Sequence, residues 1–380
     1  MEFTMKILTF VRLSGKNTFL QVFDDLPKLA SRFDKMASKI LLIYTGGTIG
    51  MAKDYETQSL KPFDFENLLK YIPELSLIDS QISFTGFEKP IDSSDMNPEH
   101  WKELARIIQE NYEGYDGFVV LHGTDTMAYS ASALSFMLSG LQKPVIFTGS
   151  QLPVGDLRTD AKENLITSIH FASLQENGEP KIKEVCIYFE YKLLRANRTT
   201  KISAENFDAF ESPNYPDLGE SGIHLDVRSH VLLQIEENQS FSVNYNLNTD
   251  LGLIKIFPGM NAAFVENMFA ATSLKAMIIE AFGSGNIFSD GWFRNLLRKK
   301  TEEGMIIIVN TQCAGGMVEI GRYETSRIFE EIGAINGFDL TTESSVAKTI
   351  FLLGQNLSKD EFARQYETNL RGELTHLPKY

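Results

Sequence analysis

A chain of 380 residues, 43% apolar and 23% charged, exceeds what one hydrophobic core usually supports, so two globular domains are expected. Its formal net charge of -14 lacks the clustered Lys and Arg needed to displace counterions, which argues against nucleic acid and an anionic membrane as partners and favours a small polar substrate. Cys186 and Cys313 are too few for a disulfide framework and lack zinc-site spacing, so no metal is expected and a reducing compartment follows.

In chain order, residues 1–38 carry a mildly amphipathic patch, Gln21 to Lys35, with no strand or turn grammar, and read as a poorly ordered extension. The short apolar run of Met5 to Leu13 is broken by Arg12 and followed by no cleavage site, so neither a signal peptide nor a transmembrane span is expected. Ile40 to Ile43 is a continuous apolar run, the mark of a strand buried on both faces, and Tyr44 carries it into a turn on Gly46 and Gly47 that presents Thr48. Ala52 to Lys61 is polar and aperiodic, as in a lid. A helix is expected over Phe65 to Ile72, then a short strand at Ile82 to Phe84 and the polar turn Asp92-Ser-Ser-Asp-Met-Asn-Pro. Asn97 as cap and Pro98 at the first helical position start a helix with Trp101, Leu104, Ile107 and Ile108 on its apolar face.

Phe118 to Leu121 is a second apolar strand and runs into His122-Gly-Thr-Asp-Thr-Met and a small-residue helix to Leu138. Pro144 to Phe147 is a third, ending in Thr148-Gly-Ser-Gln. Asp160 is expected to cap a helix through Ala172, before a fourth strand at Glu184 to Phe189. This alternation predicts a doubly wound, mostly parallel sheet domain over 39–235. A polar linker over 236–250 leads to a smaller α/β domain over 251–380, with strands at Leu253 to Phe257, Met277 to Ile279 and Met305 to Val309.

In open α/β sheets, ligands bind beyond the carboxyl ends of the strands, which makes Thr48 a candidate nucleophile. The bland alternative is a phosphate-binding turn, against which stand the missing GxxxxGK[ST] and GxGxxG patterns. Threonine needs a base. His122 is the local choice, although a histidine ending a buried strand is more often structural; Asp125 with a lysine is the other, and spacing does not say which lysine. Cys313 reads as a small packed residue rather than a reactive thiol.

Thr45-Gly-Gly-Thr-Ile-Gly and His122-Gly-Thr-Asp-Thr-Met resemble the two signature segments of bacterial-type L-asparaginases, and the likeness runs from about Lys39 to the carboxyl end. Asp92-Ser-Ser-Asp-Met, Thr148-Gly-Ser-Gln, Asn197-Arg-Thr-Thr-Lys and Asn369-Leu-Arg-Gly-Glu-Leu-Thr resemble the type I, cytoplasmic branch. The resemblance implies hydrolysis of L-asparagine without a cofactor. Thr48 would be the nucleophile that forms an acyl-enzyme, and Thr124, Asp125 and Lys201 the second catalytic group. Ser93, Ser94 and Asp125 would hold the substrate's α-groups, and Asn286 would be lent by a neighbouring subunit of a dimer or tetramer. The family's lid tyrosine has Tyr55 as its nearest substitute. Glu280 stands where type I enzymes carry an arginine of a second, allosteric asparagine site that Cys313 also matches, which implies weakened activation. Competing expectations are a glutaminase-asparaginase, the amidase subunit of a transamidation complex, and an amino-acid-binding module without chemistry.

Overall fold

The computed structural model describes residues 37–53, 60–62, 71–234 and 239–375. The extension expected over 1–38 lies outside them up to residue 36, as do Tyr55 and most of the helix expected over Phe65 to Ile72. The larger sheet has eight strands: β1 (Ser38–Gly46), β2 (Ser80–Ile91), β3 (Gly117–Leu121), β4 (Val145–Thr148), β5 (Val185–Phe189), β6 (Lys192–Arg195), β7 (Gly219–Ser221) and β8 (Leu225–Val227). They lie in the order β8-β7-β6-β5-β4-β3-β1-β2. The strands from β2 to β5 pair in parallel, and β6 to β8 close the other edge antiparallel.

Alternate side chains of the central strands feed two cores. Leu41, Ile43, Phe118 and Val120 pack with α1 (Pro98–Asn111) and α2 (Met127–Met137) on one face. Ile40, Leu42, Val119 and Leu121 pack with α3 (Ala161–Ser173) on the other. This two-sided burial explains the unbroken apolar runs of β1 and β3. Helix α1 starts as expected, with the Asn97 side chain accepting from Glu99 N, though Ala105 rather than Ile107 completes its buried stripe. Strand β2 is much longer than the three residues read from sequence, because an edge strand is only half-buried and shows no apolar run.

The second domain carries a parallel sheet of β9 (Leu251–Lys255), β10 (Ala276–Ala281), β11 (Ile306–Thr311) and β12 (Ile335–Asn336), in that order. Helices α4 (Ala262–Phe269) and α5 (Gly291–Glu302) cover one face, and α6 (Thr342–Leu353) and α7 (Lys359–Tyr366) the other. Helix α6 also packs on α2, with Ala347 and Ile350 in the same core as Phe136. Between the domains run a buried Arg198–Asp339 ion pair of 2.7 Å and a Thr200–Glu343 hydrogen bond of 2.7 Å. The segment before β9 also pairs back onto the first domain, Ser242–Val243 against Leu138–Ser139. Among the described residues no helix is long and apolar enough to cross a membrane.

Candidate active site

In the strand order β2-β1-β3-β4-β5 the chain reverses its winding beside β1, and the crevice beyond the carboxyl ends of β1 and β3 is where such sheets bind ligands. Both signature loops leave the sheet there. Gly47 has φ +84°, open to glycine at no steric cost, and a Cβ on it would lie 2.5 Å from Gly123 Cα and N. A Cβ on Gly123 would in turn lie 2.5 Å from Ser93 Oγ. The loops bearing Thr48 and Thr124 therefore meet backbone to backbone, and the Ser93 side chain packs directly on Gly123, at distances that leave no room for a Cβ on either glycine. Thr126 Oγ1 donates to Ser93 O at 2.7 Å, and Thr45 Oγ1 donates to Leu121 O at 3.1 Å, tying them further.

Thr48 is half-buried in the short 3-10 turn after Gly47. Thr124 is the hub of the second loop. Lys201 Nζ donates to Thr124 Oγ1 at 2.8 Å and to Asp125 Oδ1 at 2.6 Å, while Thr124 Oγ1 donates to Gln151 Oε1 at 3.3 Å. The lysine side chain is 17% exposed and the aspartate 67%, so the pair stands at the rim of the crevice with its ammonium turned inward. Ser93 is buried beneath Gly123, whereas the Ser94 hydroxyl and N–H both donate to Asp92 Oδ1 at 2.9 Å, bonds that lower the Asp92 carboxyl below its usual range.

Of the two arrangements left open by the sequence, the structure forms the carboxylate with a lysine, Asp125 with Lys201. His122 is fully buried. Trp101 Nε1 donates to Ser130 Oγ at 3.0 Å, the Ser130 hydroxyl then donates to His122 Nε2 at 2.9 Å, and this leaves Nδ1–H to donate to Gly123 O at 2.7 Å. Burial, partly opposed by the Gly123 contact, pushes its pKa down to about 4. A neutral ring with both nitrogens occupied is a buttress for the loop.

Sequence reasoning missed the role of Gln151, although Thr148-Gly-Ser-Gln stood out, and it missed what the Asp160 carboxylate bonds. Asp160 does occupy the N-cap position of α3, but its carboxylate makes no capping bond; it accepts from Gln151 N at 2.9 Å and Leu152 N at 3.1 Å and so fixes the turn that meets Thr124. Gln151 Nε2 is held in turn by Asn206 O at 2.9 Å. Burial and then the charges of Asp160, Glu163 and Asp208 push nearby Glu190, just beyond β5, up to about 7.

Asn286 is not brought to this cluster within the chain. It lies in the turn after β10, bridged to Phe282, with its Oδ1 accepting from Thr325 Oγ1 at 2.7 Å. Glu280 is buried in β10, accepts from Thr342 Oγ1, and has Lys255 Nζ at 3.9 Å. Cys313 is exposed, which corrects the packed-residue reading; it sits in an open turn after β11, while Cys186 is the buried one.

Fold and site together define a two-domain α/β amidohydrolase. Residues 39–232 match the model of the asparaginase amino-terminal domain and residues 250–365 that of the glutaminase/asparaginase carboxyl-terminal domain. L-asparaginase 1 of Escherichia coli K12 is 39% identical over 88% of this chain and 98% of that protein. The 60 kDa lysophospholipase of Mus musculus is 37% identical over 89% of this chain but only 62% of its own length. The crystal structure of L-asparaginase I from Vibrio cholerae superposes with a TM-score of 0.81 at 38% identity, over 90% of this chain and all of that one. The chain belongs to the asparaginase family.

Proposed function

We propose that this chain hydrolyses L-asparagine to L-aspartate and ammonia through an ester on Thr48. The observation that carries the reading is the Lys201–Thr124–Asp125 triangle, with bonds of 2.8 and 2.6 Å, on a loop that abuts the Thr48 loop at Gly47 and Gly123. Thr48 Oγ attacks the side-chain amide carbon and loses its proton; the tetrahedral intermediate expels the amide nitrogen, which leaves as ammonia with that proton. Water then attacks the ester, and its proton returns to Thr48 Oγ as aspartate departs. Lys201, paired with Asp125, orients Thr124 and carries the proton between water, nucleophile and leaving nitrogen. Backbone N–H groups around Thr124 stabilise the oxyanion, a role in which one donor is worth about 2.7–4 kcal/mol.

Ser93, Ser94 and Asp125 hold the substrate's α-carboxylate and α-ammonium. The family-domain limits support a catalytic unit over 39–235 and a second unit over 251–380. Because Asn286 is remote from the cluster within one chain, the reading requires a homo-oligomer in which a partner copy supplies it. A cytoplasmic setting fits the resemblance of the motifs to the type I, cytoplasmic branch. Ammonia release from asparagine and then from glutamine tests the assignment. Turnover of asparagine alone or in preference supports it; turnover of neither returns the chain to the amino-acid-binding reading.

A further inference from the structure

Lys201 is carried by a strand of two residues, Thr200–Lys201, paired with Phe210–Glu211. A ladder this short does not fix a side chain by itself, since even a full two-stranded hairpin is marginal in water. Beyond it, residues 203–208 form no helix or strand and most of them are exposed. The anchors lie on the amino side. Thr199 Oγ1 donates to Arg195 O at 2.7 Å, Arg198 Nε donates to Gly372 O at 2.8 Å, and Arg198 pairs with Asp339 at 2.7 Å. The last of them, next to the lysine, is Thr200 Oγ1, which donates to Glu343 Oε1 at 2.7 Å.

Successive side chains of a strand point to opposite faces. With Lys201 turned to Thr124 and Asp125, Thr200 is therefore turned away from the crevice and toward the second domain. It meets the first turn of α6, which is capped by Thr341, whose side chain accepts from Ser344 N at 3.1 Å. Glu343 lies in that turn, where the amides of a helix start favour a carboxylate, and it is 8% exposed. Burial raises its pKa, and the Thr200 hydroxyl is foremost among the bonds that oppose the rise. A hydroxyl held by a buried carboxylate is a firm connection, because the bond is charge-assisted and water does not replace it.

We propose that Glu343 is a positioning residue for the reaction: through Thr200 it sets the place of the Lys201 ammonium against Thr124 and Asp125. The inference rests on the reading of Lys201 as the proton carrier. It gives the second domain a part in catalysis within one chain, by way of α6, in addition to the Asn286 that a partner copy supplies. A misplacement of about 1 Å far from the chemistry can cost about 100-fold in rate, so the loss of an anchor one residue from the ammonium is enough to slow turnover.

Steady-state ammonia release from asparagine, with a thermal melt of each chain, tests this in Glu343→Ala, Thr200→Val and the double variant. In each single variant kcat is expected to fall about 10- to 100-fold while KM changes by less than about threefold, because a misplaced ammonium impairs the chemical step. The double variant is expected to be no slower than the slower single one, since both remove the same bond. Glu343→Gln keeps an acceptor for the hydroxyl and is expected to restore kcat to within about threefold of wild type. Lys201→Met separates the inference from the reading beneath it. A Lys201→Met chain of near-wild-type rate overturns that reading, and this inference with it. A slow Lys201→Met chain beside a folded Glu343→Ala chain of wild-type kcat overturns this inference alone. Losses that multiply in the double variant, a loss confined to KM, or a Glu343→Gln chain as slow as Glu343→Ala would also overturn it. Should Glu343→Ala fail to fold, Thr200→Val, which keeps the β-branched shape, is compared with Glu343→Gln: a slow former and a fast latter are expected, and any other pairing overturns the proposal.

Discussion

Replacing Lys201 by methionine keeps the aliphatic stem and removes the ammonium, and the structure separates its effect on rate from its effect on stability. The ammonium is the sole cation bonded to Thr124 and Asp125 among the described residues, so its loss removes the proton carrier of the proposed mechanism. Positioned acid–base groups contribute about 100- to 10,000-fold, and kcat is expected to fall by that amount, with KM changing far less. Stability should barely move. The partner left behind, Asp125, is 67% exposed and is resolvated, so the pair resembles a surface ion pair worth about 0–1 kcal/mol. Lys348→Met is the internal contrast: Lys348 and Glu373 are both 0% exposed, and stranding a buried carboxylate costs about 3–5 kcal/mol. Steady-state ammonia release with a thermal melt of each variant makes the comparison. A Lys201→Met enzyme within tenfold of wild-type kcat, or one as destabilised as Lys348→Met, would refute the reasoning.

Thr48→Val keeps the β-branched shape of a half-buried residue, so turnover should vanish with an unchanged melting temperature; retained turnover removes Thr48 from the chemistry. Glu190 is raised in the folded chain from 4.5 to about 7, so the native state binds a proton that the unfolded state has released. Its contribution to stability is full below pH 4.5 and is lost as pH rises through 7; Glu190→Gln should flatten the decline over that window, and melting curves across it will show whether the slope persists. Glu280 presents a buried carboxylate with Lys255 3.9 Å away where an effector's carboxylate would need a cation. Rate against asparagine is therefore expected to be hyperbolic in the wild type and to turn sigmoidal in Glu280→Arg; clear cooperativity in the wild type that Glu280→Gln leaves unchanged would contradict this.

What the sequence disclosed follows from burial. Ile40–Ile43, Phe118–Leu121 and Pro144–Phe147 announce themselves because both of their faces are covered, and glycines after two of these strands mark the loops that must approach one another. The antiparallel edge, β6 to β8, was illegible: its strands are three or four residues long, and β7 and β8 are half-exposed, so no period develops. Within the polar run read as a linker, Phe241 stacks on Tyr112 beside the short Ser242–Val243 ladder with Leu138–Ser139, contacts that depend on partners roughly 100 to 130 residues earlier. At the site, Thr48, Thr124 and Asp125 were visible from position in their motifs. The lysine was not legible from spacing and came only through the resemblance of Asn197-Arg-Thr-Thr-Lys: Lys201 reaches Thr124 across 77 residues of sequence, by way of a turn pinned through Arg198 and Thr200 to the second domain. Gln151 and Asp160 were hidden for the same reason, since a side chain that braces a loop has no local signature.

The central claim is a covalent one, that asparagine is cleaved on Thr48. Mixing the wild-type chain with excess asparagine, quenching in acid during turnover and mapping peptides by mass spectrometry tests it directly, because every turnover passes through the ester. An aspartyl adduct on the peptide carrying Thr48, absent from Thr48→Val, is the predicted result; an adduct on another residue, or asparagine turnover that survives in Thr48→Val, would contradict the account.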